Sequence, residues 1–335
     1  MGSLSAVAAD ANPVVDDFSP YFRVYKDGSV ERLRAEEHTP ASLDPRTGVD
    51  SKDIAISAVV SARIYLPSAA ASGGGDRGRK LPLVLYFRGG GFCVLSAASP
   101  VLHAHLNALA AASSVLVLSV DYRRAPEHSI PVPYDDSWAA LHWAASHRAG
   151  LADIDFDFSP ESWLVEHADF DRVYLAGDSA GGNIAHNLAM RAATLPLPGG
   201  VKLAGIVLLE PYFWGTRPTA SAAAADPVKR ARLDRLWRVV CPASEAGNDD
   251  PLVNPLAARA PSLAALGCGR VLICTAERDA MRDWAWMYYE ALRESGWRGE
   301  AEIHEAAAED HGFYLHRPDG DRVALLLKRI AAFLT

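Results

Sequence analysis

Cysteine is scarce in this chain, and the few present are far apart. The 335 residues contain four cysteines, and no two of them have the spacing of ligands in a metal site. Two of them lie on or beside predicted strands, which favours buried free thiols over disulfides. Histidines on helical stretches also lack carboxylates at ligand spacing, so we predict no metal. The cysteines are Cys93, Cys241, Cys268 and Cys274, and these histidines are His103, His105, His142 and His147.

Basic clusters, membrane-length apolar runs and an export signal are missing as well. The net charge is −8 and half of the residues are hydrophobic, so the chain can build a sizeable core but offers nucleic acid or an anionic membrane no basic surface. The first 17 residues are small and acidic, without a basic region followed by an apolar one. Ala6 occupies the position where a myristoylation motif needs Ser or Thr. We therefore expect a cytoplasmic protein with no membrane or nucleic-acid partner.

Strand-like and helix-like segments alternate along most of the chain. The strand-like segments are mostly continuous apolar runs, typical of parallel strands that are buried on both faces. This pattern predicts an α/β fold with a mostly parallel central sheet and helices on both faces. The segment at about 212–250 interrupts the alternation, and we expect it to form a lid over the strand ends. The predicted strands lie near 54–66, 82–87, 114–120, 171–176, 203–209, 270–275 and 300–305, after a hairpin at 22–33.

One short motif carries the strongest chemical signal. The apolar run 172–176 leads into Gly177-Asp178-Ser179-Ala180-Gly181, and a helical pattern comes next. A G-x-S-x-G sequence between a strand and a helix is typical of a nucleophile elbow, where glycines permit a tight turn and a strained backbone exposes the serine hydroxyl. Ser179 is therefore the candidate nucleophile, and Asp178 is expected to have a structural role.

Two further strand ends supply candidates for the remaining members of a catalytic triad. The run 271–275 ends in Ala276-Glu277-Arg278-Asp279, and Asp310-His311-Gly312 comes after the last predicted strand. The chain order Ser, Asp, His is the order expected of α/β-hydrolases. We predict that His311 acts as the base and Asp279 as the acid that orients it, with Glu277 and Asp283 as competitors for the acid.

A glycine-rich loop comes after the first buried strand of the alternating region. Leu83 to Phe87 runs into Arg88-Gly89-Gly90-Gly91-Phe92. Because only glycine lets a backbone approach a substrate oxygen closely, this loop predicts an oxyanion hole. The candidate donors are the amides of Gly90, Gly91 and Ala180, with Gly89 as a further candidate.

These stretches together resemble plant carboxylesterases of the hormone-sensitive-lipase-like branch of the α/β-hydrolases. The resemblance extends from Phe18 to Leu334, nearly the whole chain. It implies one α/β-hydrolase domain over residues 1–335, with a helical cap formed by about 1–40 and by the insertion at 212–250. It also implies a serine carboxylesterase that needs no cofactor, hydrolyses small apolar or aromatic esters through an acyl-enzyme intermediate, and exists as a monomer or weak homodimer. Further matching runs include Ala125-Pro126-Glu127-His128, Gly182-Asn183-Ile184-Ala185-His186 and Pro211-Tyr212-Phe213-Trp214-Gly215.

The resemblance leaves the reaction and one position open. The same family contains hydroxyisoflavanone dehydratases, some with Thr in place of the nucleophile, and gibberellin receptors, which lack the base; this chain retains Ser179 and His311. The family pattern has His where Arg88 stands. Arg88 either braces the loop, leaves the oxyanion hole perturbed, or contacts an anionic group of the substrate. Candidate substrate-contacting residues are Arg88, Phe92, Tyr212, Trp214, Trp237 and Phe313.

Overall fold

The chain divides into two compact units, residues 1–36 and 37–335. The structure is a computed structural model that describes residues 12–68, 80–149 and 160–335. The first unit contains a three-stranded antiparallel sheet in the order β1-β2-β3. The predicted hairpin corresponds to β2 and β3. The strands are β1 Val14–Phe18, β2 Phe22–Tyr25 and β3 Val30–Arg32. Part of the predicted cap segment 1–40 lies outside the described residues, and its role as a cap stays a prediction.

The second unit is built on an eight-stranded sheet in the order β11-β10-β9-β8-β6-β7-β5-β4. The six strands from β11 to β7 are parallel to their neighbours, while β5 and β4 pair antiparallel at one end. The predicted mostly parallel sheet is thus confirmed. The strands are β4 Val49–Ala55, β5 Ser61–Pro67, β6 Leu81–Phe87, β7 Leu116–Asp121, β8 Ala168–Asp178, β9 Leu203–Leu209, β10 Arg270–Ala276 and β11 Glu300–Ala306.

Helices cover both faces of this sheet. Alternate strand residues such as Val84, Tyr86 and Val117 share one core with α1 and α9. Side chains of the opposite parity are buried on the other face, where α4 packs on β8 and β9 and α7 packs on β10 and β11. The helices are α1 Pro100–Ser113, α2 Val132–Ala149, α3 Ser162–His167, α4 Ala180–Ala192, α5 Ala220–Ala224, α6 Pro227–Val240, α7 Arg282–Glu294, α8 Phe313–His316 and α9 Asp321–Leu334.

The segment at 212–250 forms α5 and α6 between two strands of the sheet. Helix α6 begins where Asp226 accepts hydrogen bonds from the amides of Val228 and Lys229, with Pro227 in the first turn. Its side chain Leu236 lies against the glycine loop after β6: a Cβ on Gly91 would come within 3.0 Å of it. The insertion therefore packs on the loop at the carboxyl edge of the sheet. Within the described residues, every helix is too short or too polar to cross a lipid bilayer.

Candidate active site

Ser179 stands on a strained turn between β8 and α4. Its backbone has φ 51° and ψ −114°, a conformation that side-chain-bearing residues rarely adopt. The turn needs glycine at 181, because a Cβ there would lie 1.8 Å from the carbonyl oxygen of Phe87. Ser179 is half-buried, although the residues on both sides of it are buried. The sequence therefore folds into an elbow that presents this one hydroxyl above the sheet edge.

His311 and Asp279 form a directly hydrogen-bonded pair. Nδ1 of His311 lies 2.8 Å from Oδ2 of Asp279, and the other carboxylate oxygen of Asp279 accepts the amide hydrogen of Met281 at 3.0 Å. Asp279 is buried, whereas the His311 side chain is 35% exposed. The carboxylate of Asp279 is thus fixed on its own loop and orients the imidazole through Nδ1, which leaves Nε2 for a reacting group.

A second carboxylate, which the sequence analysis missed, also contacts the same imidazole. Glu210 lies directly after β9, its side chain is 1% exposed, and its Oε2 lies 3.3 Å from Nδ1 of His311. The same oxygen accepts the amide hydrogen of Gly312. His311 therefore has two acidic neighbours on one ring nitrogen.

The three groups influence each other's protonation. Burial opposes a charged imidazole, but Asp279, with help from Glu210 and Asp178, raises the pKa of His311 to about 9. Burial, reinforced by the charges of Asp279 and Asp178, raises the pKa of Glu210 far above that of an ordinary carboxylic acid, against the opposing effects of His311 and the Gly312 amide. The cluster thus stabilises the imidazolium, the form that His311 takes once it has accepted a proton.

The end of β9 contacts both Ser179 and His311. The amide of Ser179 donates to the carbonyl of Leu209 at 2.8 Å, and the next residue, Glu210, contacts His311. Among the described residues, no hydrogen bond joins Ser179 Oγ to His311, so the close pair that the triad needs is not formed in this structure. Apo active sites often show such looser geometry before substrate binds.

The loop after β6 offers free amides beside the elbow. Within the described part of the chain, the amides of Gly90, Gly91 and Ala180 donate to no protein acceptor. Gly89 differs, because its amide donates to Oδ1 of Asp178 at 3.0 Å. Its assignment to the oxyanion hole was wrong: that N–H is already used to tie the loop to the elbow. Asp178 therefore has the structural role that the sequence suggested.

Arg88 is buried beneath this loop and does not face a substrate. Its side chain is 0% exposed, donates to the carbonyls of Leu95 and Tyr122 at 2.7 Å each, and stacks on the Tyr122 ring. The Tyr122 hydroxyl in turn donates to the Arg88 carbonyl at 2.7 Å. The assignment of Arg88 as a substrate-contacting residue is corrected, because its side chain has no exposed surface for a ligand. The brace expected as one of its alternatives matches these contacts.

The five aromatic candidates for a substrate pocket are also packed in the interior. Phe92 and Trp237 are 0% exposed and meet edge to face, with centroids 6.3 Å apart, and Phe92 meets Tyr212 in the same way. Trp214 donates its indole hydrogen to Asp234 of α6, and Phe313 belongs to the core beneath α1. Solvent scarcely reaches these rings, so they pack in the interior and do not line an open pocket. Their assignment to substrate contact is therefore corrected.

The competing acids are engaged elsewhere. Glu277 accepts the amide hydrogen of Ala308, and Asp283 accepts that of Ser221, so neither orients His311.

Glu210, Asp279 and His311 each offer a ligand atom within 4.8 Å of the others, which is the spacing of a metal site. Nδ1 of His311, however, donates a hydrogen bond to Asp279, and a nitrogen that carries a hydrogen cannot bind a metal. The absence of a metal and of a cofactor stays a prediction.

Comparison with known proteins agrees with this geometry. A family model described as alpha/beta hydrolase fold matches residues 84–315. The chain is 43% identical over 328 residues to probable carboxylesterase 13 of Arabidopsis thaliana, covering 96% of this chain and 98% of the relative. It is 42% identical over 327 residues to the 2-hydroxyisoflavanone dehydratase of Glycine max, covering 97% and 99%. The predicted resemblance to plant carboxylesterases is confirmed.

Solved structures give the same result. The thermophilic carboxylesterase EstE1, cloned from a metagenomic library, is 28% identical with a TM-score of 0.68, covering 85% of this chain and 88% of that one. The esterase of the archaeon Pyrobaculum calidifontis is 27% identical with a TM-score of 0.66, covering 85% and 84%. The family model spans the strands that carry the elbow, both acids and the histidine, and the relatives span nearly the whole chain. This chain therefore belongs to the α/β-hydrolase family.

Proposed function

We propose that this protein is a serine carboxylesterase that hydrolyses small, largely apolar or aromatic esters through an acyl-enzyme intermediate. The observation that carries the proposal is the strained Ser179 elbow beside the 2.8 Å His311–Asp279 pair. The similar proteins named as a probable carboxylesterase and a thermostable carboxylesterase support the same reaction. A cytoplasmic location, a monomer or weak homodimer, and independence of cofactors belong to this proposal.

The reaction begins when His311 accepts the hydroxyl proton of Ser179 while Oγ attacks the ester carbonyl. The oxygen of the tetrahedral intermediate is stabilised by the amides of Gly90, Gly91 and Ala180, which lie at the start of α4 and on the adjacent loop. The imidazolium then gives its proton to the departing alcohol, and the acyl group stays on Ser179. Water, activated by His311, releases the acid and restores the serine.

Asp279 makes this proton transfer directional. Because its carboxylate accepts the hydrogen on Nδ1, the neutral form of the imidazole has its lone pair on Nε2, where it is available to Ser179. The negative charge also stabilises the imidazolium that forms during attack. Arg88 contributes indirectly, since its two carbonyl contacts hold the glycine loop in place.

The direct test is turnover of p-nitrophenyl acyl esters of increasing chain length, with Ser179→Ala as the control. Release of p-nitrophenol by the wild type but not by the variant supports the proposal. Leu236 lies close to the donor glycine Gly91, so an apolar side chain borders the donor amides and short apolar acyl groups are the expected best substrates. No turnover of any acyl length would overturn the proposal.

A dehydratase is the second candidate, because the similar proteins include 2-hydroxyisoflavanone dehydratases at 42% identity. Dehydration removes water from a hydroxy ketone and needs a base but no serine acyl-enzyme. Incubating a 2-hydroxyisoflavanone with wild type and Ser179→Ala separates the two activities. Dehydration that survives in Ser179→Ala, with no ester hydrolysis by the wild type, would favour the lyase. A hormone-receptor-like binding protein has the least support, since both Ser179 and His311 are present.

A further inference from the structure

Glu210 lies in the sheet between the nucleophile and the acid. The strand order β10-β9-β8 places Glu210, at the end of β9, between Asp279 after β10 and Ser179 after β8. Its Oε2 is 3.3 Å from Nδ1 of His311, against 2.8 Å for Asp279. Nδ1 therefore donates its hydrogen to Asp279, and Glu210 is a second buried acid within ion-pair distance of the same nitrogen.

Glu210 keeps this position although two features of its surroundings are unfavourable in free energy. Its backbone has φ +46°, a strained value for a residue with a side chain, and its amide donates to the carbonyl of Cys274 at 2.6 Å. Oε2 also accepts the amide hydrogen of Gly312, the residue after His311. Oε1 is buried and has no hydrogen-bond partner within the described residues. Strain and an unpartnered buried oxygen are both unfavourable, and such features persist mainly where function requires the side chain.

We propose that Glu210 is a second acid of the catalytic histidine: a positioning residue that lies within ion-pair distance of Nδ1 of His311 and can take over from Asp279 the role of accepting its hydrogen. The proposal rests on the hydrolytic function proposed above. It assigns His311 two alternative acceptors on neighbouring strands, with Nε2 directed away from both and left for Ser179.

Electrostatics explains why the two acids do not act equally in the intact protein. Burial and the nearby charge of Asp279 raise the pKa of Glu210 and so oppose its ionisation, while Asp279 holds the Nδ1 hydrogen of His311 at 2.8 Å. Removing the carboxylate of Asp279 removes that repulsion, while the attraction of His311 for a negative charge remains. Glu210 then ionises more readily and occupies the vacated role. The second acid therefore becomes important when the first is lost.

A double-mutant cycle on ester hydrolysis tests this redundancy. In a triad with a single acid, replacing that acid by alanine lowers kcat by about 3 × 10⁴-fold. We expect Asp279→Ala to cost less than ~10²-fold and Glu210→Gln less than ~10-fold, whereas the double variant loses ~10⁴-fold or more. A loss in the double variant equal to or below the product of the two single losses would overturn the proposal.

Glu277→Gln provides the matched control. Glu277 lies after β10 at the same sheet edge and accepts a backbone amide hydrogen, that of Ala308, but it orients no part of His311. Combined with Asp279→Ala, it should multiply the loss only by its own small effect. An excess loss as large as that of Glu210→Gln would contradict a specific role for Glu210.

A spectroscopic measurement tests the role of Glu210 without relying on turnover. The Nδ1 hydrogen of a histidine held by a carboxylate gives a proton NMR signal far downfield, and this signal should persist in Asp279→Ala and vanish in Asp279→Ala/Glu210→Gln. Its disappearance in Asp279→Ala alone would overturn the proposal. If the wild type hydrolyses no ester, the proposed function fails, yet the NMR comparison still decides whether Glu210 holds His311.

Discussion

The two edges of the central sheet carry different residues at the ends of its strands. At the carboxyl edge, the five neighbouring strands β11, β10, β9, β8 and β6 lead into His311, Asp279, Glu210, Ser179 and the glycine loop, respectively. At the amino edge, a cavity of about 780 Å³ opens between the segments that precede β9, β10 and β11. Leu197, Cys268 and Trp297 are among its lining residues, and within the described part of the chain no carboxylate or histidine lines it.

The cavity and the candidate catalytic residues therefore lie at opposite edges of the sheet. Parallel strands end at one edge, so residues that are distant in sequence converge there, and α4 begins there with its free amides. The amino edge has room for a ligand, but the described residues that line its cavity include no carboxylate or histidine to act as a general acid or base. We therefore expect changes at the carboxyl edge to abolish catalysis and comparable changes at the amino edge to leave it intact.

The largest effect is expected from removing the nucleophile or the base. Ser179→Ala and His311→Ala should each lower kcat for p-nitrophenyl esters by at least ~10⁴-fold, because the two groups act as a unit. Circular dichroism and thermal unfolding should match the wild type, since both side chains are partly exposed. Hydrolysis within tenfold of wild type in either variant would contradict the acyl-enzyme mechanism.

A glycine-to-alanine substitution at each edge of the sheet gives a matched pair of variants, and the one at the carboxyl edge should have an intermediate effect on kcat. A Cβ on Gly89 would lie 2.2 Å from Oδ2 of Asp178, so Gly89→Ala should displace the donor loop and lower kcat by ~10²-fold, the scale of a 1 Å misplacement. Gly269, at the amino edge, would place its Cβ 3.6 Å from the nearest atom, an ordinary contact. Gly269→Ala should keep wild-type kcat, and equal losses in the two variants would remove the contrast between the edges.

The pH dependence of the reaction should reflect the carboxylates around His311. Because Asp279, Glu210 and Asp178 raise the pKa of His311 to about 9, the base is protonated at neutral pH. The profile of kcat/KM, which reports the free enzyme, should rise about tenfold per pH unit above pH 7 until the imidazole loses its proton. A profile already level at pH 7 would mean that the carboxylates do not raise this pKa.

The smallest effect is expected at the amino edge. Lys202 is exposed and lines the cavity there. Lys202→Ala should change kcat/KM by less than ~2-fold and the free energy of unfolding by less than ~0.5 kcal/mol, as surface substitutions usually do. A marked loss of ester turnover in this variant would move part of the function to the opposite edge.

The parallel sheet was well predicted from the sequence, because its strands are continuous apolar runs that end in recognisable turns. The elbow was equally visible, since G-x-S-x-G after a strand describes a local geometry. Side-chain direction was harder to predict: Phe92 and Trp237 have the composition of a pocket wall but pack into the core, and the Gly89 amide is taken up by Asp178. These outcomes depend on contacts between segments far apart in sequence.

Glu210 is a site residue that the sequence pattern could have indicated. It comes directly after the apolar run of β9, as the elbow comes after β8 and the acid loop after β10. A charged residue at the carboxyl end of a buried parallel strand is unusual enough to mark a site residue. Its contact with His311 could not be predicted, however, because it requires the loops after β9 and β11 to meet in space.

Trapping the acyl-enzyme shows whether Ser179 is the nucleophile that the substrate acylates. Mass spectrometry of the protein quenched during turnover of p-nitrophenyl acetate, combined with peptide mapping, locates any covalent adduct. We expect one acetyl group on Ser179 in the wild type, formed in a burst with one equivalent of p-nitrophenol, and none in His311→Ala on the same timescale. Hydrolysis without an adduct on Ser179, or an acetyl group at another residue that turns over at the rate of catalysis, would contradict this expectation.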